Sequence, residues 1–289
     1  MVRACAALVA LVLSLLPLAG AQAADPQPKY WNDVQIVATM AIKVEATNQD
    51  MVADTMYRYA WLPEDKTESL IVDYQQVKVA VNKNVLLDSL LTRDKLVELK
   101  AGAKVSTPIA ELPPAVQARL KAAYGTPLCK RTLDENGLEI KREVVAGPDA
   151  KLMIDNGVIT NALLFHPPFY ADKSKWESPL EFSMGNGGFA KGKLTYVLEP
   201  NSDPKQPVFK VYGSAALASH RQPGPVVMFA KDAAYEITGE QTYDTATKQW
   251  ISGKMKVEIS FRLDTEEKEI GSAAGNMDIT FKRVPAEKQ

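Results

Sequence analysis

The stretch "GNGGFAKGKLTYVLE" (residues 185–199) decides between two classes of fold. From Gly187 to Lys193 it reads G-x-x-x-x-G-K, which is how a phosphate-binding loop begins. Such a loop needs Ser or Thr after the lysine and a helix behind it, whereas Leu194 follows here and "LTYVLEP" has the composition of a strand. The pattern therefore indicates a glycine-rich turn in an antiparallel hairpin and not a nucleotide site in an α/β fold.

Strand patterns dominate the rest of the chain. Long candidates cover 33–47, 70–81 and 248–264, and turn residues separate them. The region 83–128 has a different pattern, because its leucines are near helical spacing. Its segment 109–125 has prolines near its beginning and a glycine at its end, as helices often do. The sequence therefore predicts a mainly β fold with a helical insertion, an α+β class overall.

Similar segments recur in the same order in the two halves of the chain. "KYWNDVQIVATM" (29–40) matches "SKWESPLEFSM" (174–184), with Trp31 and Trp176 in corresponding places, and three further pairs of segments follow in the same order. This order predicts an internal duplication. We therefore expect two similar antiparallel β lobes, for which a half-barrel is one suitable shape.

The first residues have the pattern of an export signal. A short basic start precedes an apolar run, and small residues at Ala21 and Ala23 fit a cleavage site, so residues 1–23 are interpreted as a signal peptide cleaved after Ala23. The two lobes are then 24–165 and 166–289, in a periplasmic or secreted protein. The apolar run is shorter than the ~20 residues of a spanning helix, so we expect no membrane span.

Composition and motifs exclude several classes of function. The 34 basic and 35 acidic residues give a net charge of −1, so no basic surface for nucleic acid is expected. Cys129 is alone once the signal peptide is removed, and we interpret it as a buried filler at the start of a strand. His166 and His220 lack the neighbours of a zinc site, and no serine-hydrolase elbow or calcium loop is present. We therefore predict no catalytic residue, no metal and no cofactor.

Aromatic residues offer one candidate binding site. Tyr57, Tyr59 and Trp61 share one face of a predicted strand because side chains alternate with a period of two. Such a stripe could line a groove for an apolar or sugar ligand. The alternative is ordinary packing of a sheet against the element that covers it.

Three segments in the second half carry a resemblance to a known family. They are "PPFYADKSKW" (167–176), "GNGGFAKGKLTY" (185–196) and "YDTATKQWISG" (243–253). Over about residues 130–285 the chain resembles a family of exported bacterial β-rich proteins defined as a domain of unknown function. The resemblance implies an envelope location and a β architecture, and it supplies no catalytic residues.

Together these patterns predict a non-catalytic protein of the cell envelope that binds an apolar, lipid-like ligand or a partner protein. Two other classes stay open at this point. One is a hydrolase acting on envelope polymers, and the other is a structural assembly module. The oligomeric state and the identity of the ligand or partner are not encoded in any motif.

Overall fold

The structure is a computed structural model, and the described residues form an almost entirely antiparallel β fold. The predicted signal peptide, His166 and the predicted lobe boundary between 165 and 166 lie outside these residues. The described ranges are 28–64, 67–92, 94–100, 102–117, 127–134, 139–145, 169–170, 172–185, 188–222 and 228–286.

The first part of the chain contributes shorter strands after three long ones. A short 3-10 helix, Ile109–Glu111, follows the sixth strand. The strands are β1 (Tyr30–Val44), β2 (Thr47–Glu64), β3 (Thr67–Val81), β4 (Asn84–Leu91), β5 (Lys95–Lys100), β6 (Ala103–Pro108), β7 (Cys129–Leu133) and β8 (Glu139–Val144).

The second part is a run of long strands joined by tight turns. They are β9 (Lys175–Gly185), β10 (Gly188–Leu198), β11 (Val208–Gln222), β12 (Met228–Asp244), β13 (Gln249–Asp264) and β14 (Glu269–Pro285).

All these strands belong to one sheet, in the order β6-β5-β4-β3-β2-β1-β14-β13-β12-β11-β10-β9, with the β7–β8 hairpin attached to β3. The first and last strands, β1 and β14, are antiparallel neighbours from Tyr30↔Pro285 to Val44↔Gly271, and we call this pairing the β1·β14 seam. Strands of the two predicted lobes are therefore hydrogen-bonded in a single sheet. The division into lobes at residue 165 stays a prediction.

The sheet has one apolar and one charged face. On β13, Met255 and Val257 are buried while the alternating Lys254 and Lys256 are exposed. The same alternation runs through β12 and β14. Because successive side chains of a strand point to opposite faces, this pattern fixes the register of each strand against its neighbours.

The apolar face carries one continuous core. Buried residues of distant strands, such as Leu70 on β3 and Trp176 on β9, belong to the same hydrophobic cluster. The core therefore extends across strands from both parts of the chain.

The predicted helical insertion is wrong over most of its length. Residues 84–91, 95–100 and 103–108 are strands β4, β5 and β6, and among the described residues of 83–128 only the 3-10 helix Ile109–Glu111 and residues 114–117 are helical. Although the leucines have nearly helical spacing, residues 84–91 form a strand because they pair with the edge of β3. The rest of the predicted helix, from 118 to 126, lies outside the described residues.

A two-residue turn explains how β4 begins. Asn82 and Lys83 both have positive φ, 48° and 67°, between the paired residues Val81 and Asn84. Two consecutive residues with positive φ are the geometry of the type I′ hairpin turn, which favours asparagine at its first central position. The chain therefore reverses at once after β3 and cannot continue into a helix there.

The predicted hairpin at 185–199 is confirmed, with a shorter connection than expected. β9 ends at Gly185 and β10 begins at Gly188. Gly192 thus lies inside a strand, where an added Cβ would collide with the backbone carbonyl of Ser214 on β11. The glycine at this position allows β10 and β11 to approach closely.

Trp31 and Trp176 do not occupy equivalent places. Trp176 lies in the main core on the apolar face, whereas Trp31 packs in a small cluster with Ala60, Leu62 and Ile71. Tyr59 and Tyr196, which each precede a proline by four residues, are both fully buried in the main core. Tyr196 lies opposite Trp176, whereas Tyr59 lies opposite Asn32 and not Trp31. The internal duplication stays a prediction.

Candidate functional site

The three residues of the predicted stripe lie together on one face of β2. Tyr57, Tyr59 and Trp61 are 3%, 0% and 5% exposed, and the rings of Tyr57 and Tyr59 are 6.1 Å apart. They belong to the main core on the apolar face and not to an open groove. Their proposed role in ligand binding stays a prediction.

A second group of aromatic residues continues this surface at the other end of the sheet. Trp176 stacks on Tyr196 at 5.1 Å, and the ring of Phe209 lies 4.9 Å from Trp176 and 5.8 Å from Trp250. Phe169, which precedes β9, stacks on Tyr243 at 3.8 Å and covers the group. We define the aromatic face as the buried rings on the apolar side of the sheet: Tyr57, Tyr59, Trp61, Trp176, Tyr196, Phe209, Tyr235, Tyr243, Trp250 and Phe281.

A buried ion pair borders the predicted stripe. Arg131 on β7 donates from Nε to Oε2 of Glu68 on β3 at 2.7 Å, and its Nη2 donates to the same oxygen. The guanidinium carbon lies 4.2 Å from the ring of Trp61, so the cation also faces the indole. Both charged side chains are largely shielded from water, at 9% and 11% exposure.

Several polar atoms of the aromatic face have no hydrogen-bond partner. In the described part of the chain these include the hydroxyls of Tyr57 and Tyr196, Nε1 of Trp176, and both amide atoms of Gln241. Gln241 is 1% exposed and lies on the same face of β12 as the buried residues Tyr235, Ile237 and Tyr243. A buried polar group without a partner costs about 1–3 kcal/mol, so each of these groups calls for an explanation.

Burial also changes the acidity of the tyrosines. Desolvation raises the pKa of Tyr57 and of Tyr196 well above its ordinary value near 10. The pKa of Tyr59 is raised by burial and by Tyr57, and lowered in part by the charge of Arg131. These phenols therefore stay neutral and can act as hydrogen-bond donors or acceptors at every physiological pH.

Half-buried apolar side chains adjoin the aromatic face. Ile36 on β1, Leu217 on β11, Ile259 and Phe261 on β13, and Met277 on β14 pack against the main core but keep part of their surface exposed. We call these five residues the apolar rim. Cross-strand pairs such as Ile259 with Tyr235 link the rim to the aromatic face, so apolar surface extends from the core toward solvent.

The charged side of the sheet carries a shallow groove of about 630 Å³ that crosses β2, β1, β14, β13 and β12. Asp33 in this groove accepts two hydrogen bonds from Arg58, at 2.6 and 3.0 Å. Gln35 donates to Asp54 at 3.0 Å. Asp33 and Gln35 therefore have partners within the sheet, whereas the Nε of Arg283, which also lines the groove, is buried without a hydrogen-bond partner in the described structure.

The other residues singled out from sequence are not brought together into a site. Cys129 is the first residue of β7 and fully buried, as expected of a filler. His220 on β11 packs over Gly188, where a Cβ would collide with its imidazole. Within the described ranges, no group of three or more His, Cys, Asp or Glu residues is arranged to hold a metal ion.

Sequence reasoning missed the polar residues of the site. Gln241, Arg131 and Glu68 are the main examples. One signal was present for Gln241, because it occupies a position at which the alternation of "AAYEITGEQTYD" (233–244) requires an apolar residue. No local pattern pairs Arg131 with Glu68, since 63 residues separate them in the chain.

No family model matches the chain, and no curated protein is significantly similar to it in sequence. Several solved structures are similar at low scores. They include OprB of Pseudomonas putida at low pH (10% identity, 88% of this chain and 91% of that chain covered, TM-score 0.23). They also include OpdQ of Pseudomonas aeruginosa (7%, 89% and 98%, TM-score 0.22) and a mutant of Rh. blastica porin (7%, 86% and 99%, TM-score 0.19).

Against these neighbours we withdraw the expectation that this chain has no membrane span. At these TM-scores the likeness carries no argument about where the chain is located or what it binds. In the part of the chain that the structure describes, no helix is long and apolar enough to span a membrane.

Proposed function

We propose that this chain is a non-catalytic protein of the cell envelope that binds an apolar, lipid-like ligand at the apolar rim of its aromatic face. The observation that carries the proposal is the continuity between the buried aromatic rings and the half-exposed apolar rim. A ligand with a long apolar chain would lie along the half-exposed rim, beside the buried rings. The export signal predicted from the sequence supports a periplasmic or secreted location.

Burial of apolar surface is the source of affinity in this proposal. Each methylene group removed from water contributes about 0.8 kcal/mol, so a long alkyl chain needs only partial burial to bind tightly. The opposite side of the sheet exposes charged residues such as Lys254, Lys256 and Glu258, so it is the less apolar of the two. The ligand should therefore bind to the apolar side only.

A substitution in the apolar rim tests the proposed binding site without changing a buried residue of the core. Phe261→Glu would place a charge at a half-exposed rim position, and we expect it to weaken binding of an apolar fluorescent probe at least about tenfold. Ser260→Glu is the matched control, because Ser260 is exposed on the charged side of the same strand. Native mass spectrometry after mild purification should show a retained lipid in the wild-type protein.

Two outcomes would count against the proposal. One is a wild-type protein that retains no lipid and binds no probe. The other is equal probe affinity in the Phe261→Glu and Ser260→Glu variants, with both variants folded by circular dichroism, because the site would then lie elsewhere.

A further inference from the structure

The charged side of the sheet carries an apolar patch where β2, β3 and β4 meet. Val52 on β2 lies opposite Ala80 on β3, and Ala80 lies opposite Val85 on β4. Residues paired in this way share one face of a sheet. Val52 is also on the same face as Met56, which lines the groove on the charged side. Val52 and Val85 are 40% and 41% exposed, so this row of apolar side chains is open to solvent.

A β-bulge adds one more exposed side chain to this row. Val79 is paired with Leu87 and Ala80 with Val85, so Leu86 is the extra residue of β4. A bulge interrupts the regular alternation of a strand, and Leu86 is 47% exposed. Two exposed aliphatic side chains therefore stand near the beginning of β4, just after the turn that joins it to β3.

The patch continues across β4 and β5. Leu90 lies opposite Gln76, which lies opposite Met56, so Leu90 is also on the charged side. Its partner on β5 is Val97, and Leu99 follows two positions later on the same face. All three are half-exposed. The outer apolar patch is defined by six residues: Val52, Val85, Leu86, Leu90, Val97 and Leu99.

The segment that carries most of this patch is basic. Residues 83–108 contain five of the 34 basic residues of the chain but only three of its 35 acidic ones, so the segment has a charge of +2 in a chain of net charge −1. Lys83 in the turn and Lys95 at the start of β5 are exposed. Lys104 on β6 pairs with Asp88 at 3.1 Å, but the lysine side chain is 60% exposed and the aspartate only 13%. Positive charge therefore predominates in this segment.

This composition fits an anionic lipid surface better than a protein surface. Lysine is depleted at protein–protein interfaces, where aromatic residues, methionine and arginine are enriched, whereas this patch consists of leucine and valine beside lysines. At a lipid surface, aliphatic side chains enter the boundary below the headgroups, and flexible lysine side chains reach the phosphates. Each lysine near an anionic membrane adds to the attraction.

We infer that the outer apolar patch and the lysines beside it bind this protein to the surface of an anionic lipid bilayer. This contact goes beyond the proposed function, because it uses the side of the sheet opposite to the apolar rim and needs no ligand there. It also gives a role to the exposed leucines and valines of β4 and β5, which the proposed function leaves unexplained.

Co-sedimentation with lipid vesicles tests this contact. Vesicles of phosphatidylglycerol and phosphatidylcholine in equal amounts should bind the wild-type protein at least about tenfold more tightly than vesicles of phosphatidylcholine alone. Leu86→Asp places a negative charge in the patch and should weaken binding to the anionic vesicles at least about tenfold. Tyr212→Asp is the matched control, because Tyr212 is 43% exposed on the charged side of β11, and it should bind as the wild type does.

A second pair of variants tests the lysines. Lys95→Gln with Lys104→Gln should weaken binding to the anionic vesicles at least about fivefold, and salt at about 1 M should weaken wild-type binding by screening the same charges. Lys254→Gln with Lys256→Gln is the matched control, because both lysines are exposed on the charged side of β13. This control should have the smaller effect.

Three outcomes would overturn this inference. The first is equal wild-type binding to the two kinds of vesicle. The second is equal vesicle binding by Leu86→Asp and Tyr212→Asp, with both variants folded by circular dichroism. The third is a wild-type dimer in size-exclusion chromatography that Leu86→Asp converts to a monomer, because the patch would then be the interface with a second copy of this chain.

The rim variant separates this inference from the proposed function. Phe261→Glu should lose binding of the apolar probe and keep binding to anionic vesicles, whereas Leu86→Asp should keep the probe and lose the vesicles. If Phe261→Glu lost the vesicles and Leu86→Asp kept them, the membrane would contact the rim and this inference would be wrong. Failure of the wild type to bind the probe would count against the proposed function alone.

Discussion

At the scale of single residues, the ion pair of Arg131 and Glu68 is the main charged feature within the apolar core. Two charges removed from water are tolerated when they hydrogen-bond each other closely, and here both guanidinium bonds go to one carboxylate oxygen. The ring of Trp61 covers the cation. The pair therefore holds the β7–β8 hairpin against β3. It lies beside Trp61, at one end of the predicted aromatic stripe.

Removing one partner should be far more damaging than removing both. Arg131→Met leaves the Glu68 carboxylate buried and unpaired, and we expect a loss of about 3–5 kcal/mol in the free energy of unfolding. The double variant Arg131→Met with Glu68→Leu should recover most of this loss. Urea unfolding monitored by tryptophan fluorescence would measure both values.

The neighbouring residue supplies the control. Lys130 pairs with Glu64 at 2.8 Å, but both side chains are more than two-fifths exposed. Lys130→Met should change the free energy of unfolding by less than about 1 kcal/mol. If Arg131→Met were equally mild, the ion pair would have no structural role.

At the scale of elements, the β9–β10 hairpin shows why glycine occurs within a strand. Gly192 faces the backbone of β11 so closely that a methyl group would collide with the carbonyl of Ser214. Gly213 on β11 has the reciprocal relation to Lys193. These contacts bring the two strands together beneath the aromatic cluster that contains Tyr196.

Gly192→Ala should therefore disturb the pairing of β10 with β11. We expect a loss of about 1–3 kcal/mol in the free energy of unfolding, since the backbone must move to relieve the collision. Lys191→Ala, at an exposed position of the same strand, should have an effect within about 0.5 kcal/mol. Thermal melts that give equal midpoints for the two variants would contradict the close approach.

The strands also show which parts of the fold could be predicted from the sequence alone. The alternation of β12 and β13 and the hairpin at 185–199 could be predicted, because they depend on local period and turn chemistry. β4 and β5 could not, because their leucines suit a helix as well as a strand, and the choice depends on the pairing of β4 with β3 and of β5 with β4. The ion pair of the site likewise depends on contacts between distant segments.

At the scale of the whole molecule, the β1·β14 seam joins the beginning and end of the described chain. Its register extends over the full length of β1, and the amide of Ala286 donates to the carbonyl of Lys29 at 3.1 Å. The two predicted lobes therefore share an extended set of backbone hydrogen bonds. At the seam, the backbone groups of β1 and β14 have each other as hydrogen-bond partners, so neither half is complete without the other there.

Separate expression of the halves tests whether they are independent lobes. Residues 24–165 alone would expose β1 along its length, and 166–289 alone would expose β14, so we expect each half to aggregate or remain unfolded. Co-expression should restore a soluble complex. Size-exclusion chromatography and circular dichroism would follow both.

A circular permutant provides the matched control. It joins residue 286 to residue 28 and opens the chain between 165 and 166, so that the same break is made while the seam stays covalently connected. This protein should fold as a monomer. Two halves that each unfold cooperatively as soluble monomers would instead support independent lobes.

The β1·β14 seam also determines how late in synthesis the sheet can be completed. Strands far apart in sequence pair slowly, because a long loop must close before their contacts stabilise the chain. Since β14 follows all the other described strands in the chain, the edge of β1 that pairs with it stays open until β14 has been synthesised. During that interval an apolar, unpaired strand would be prone to aggregate, so the nascent protein should depend on a holding chaperone until β14 arrives.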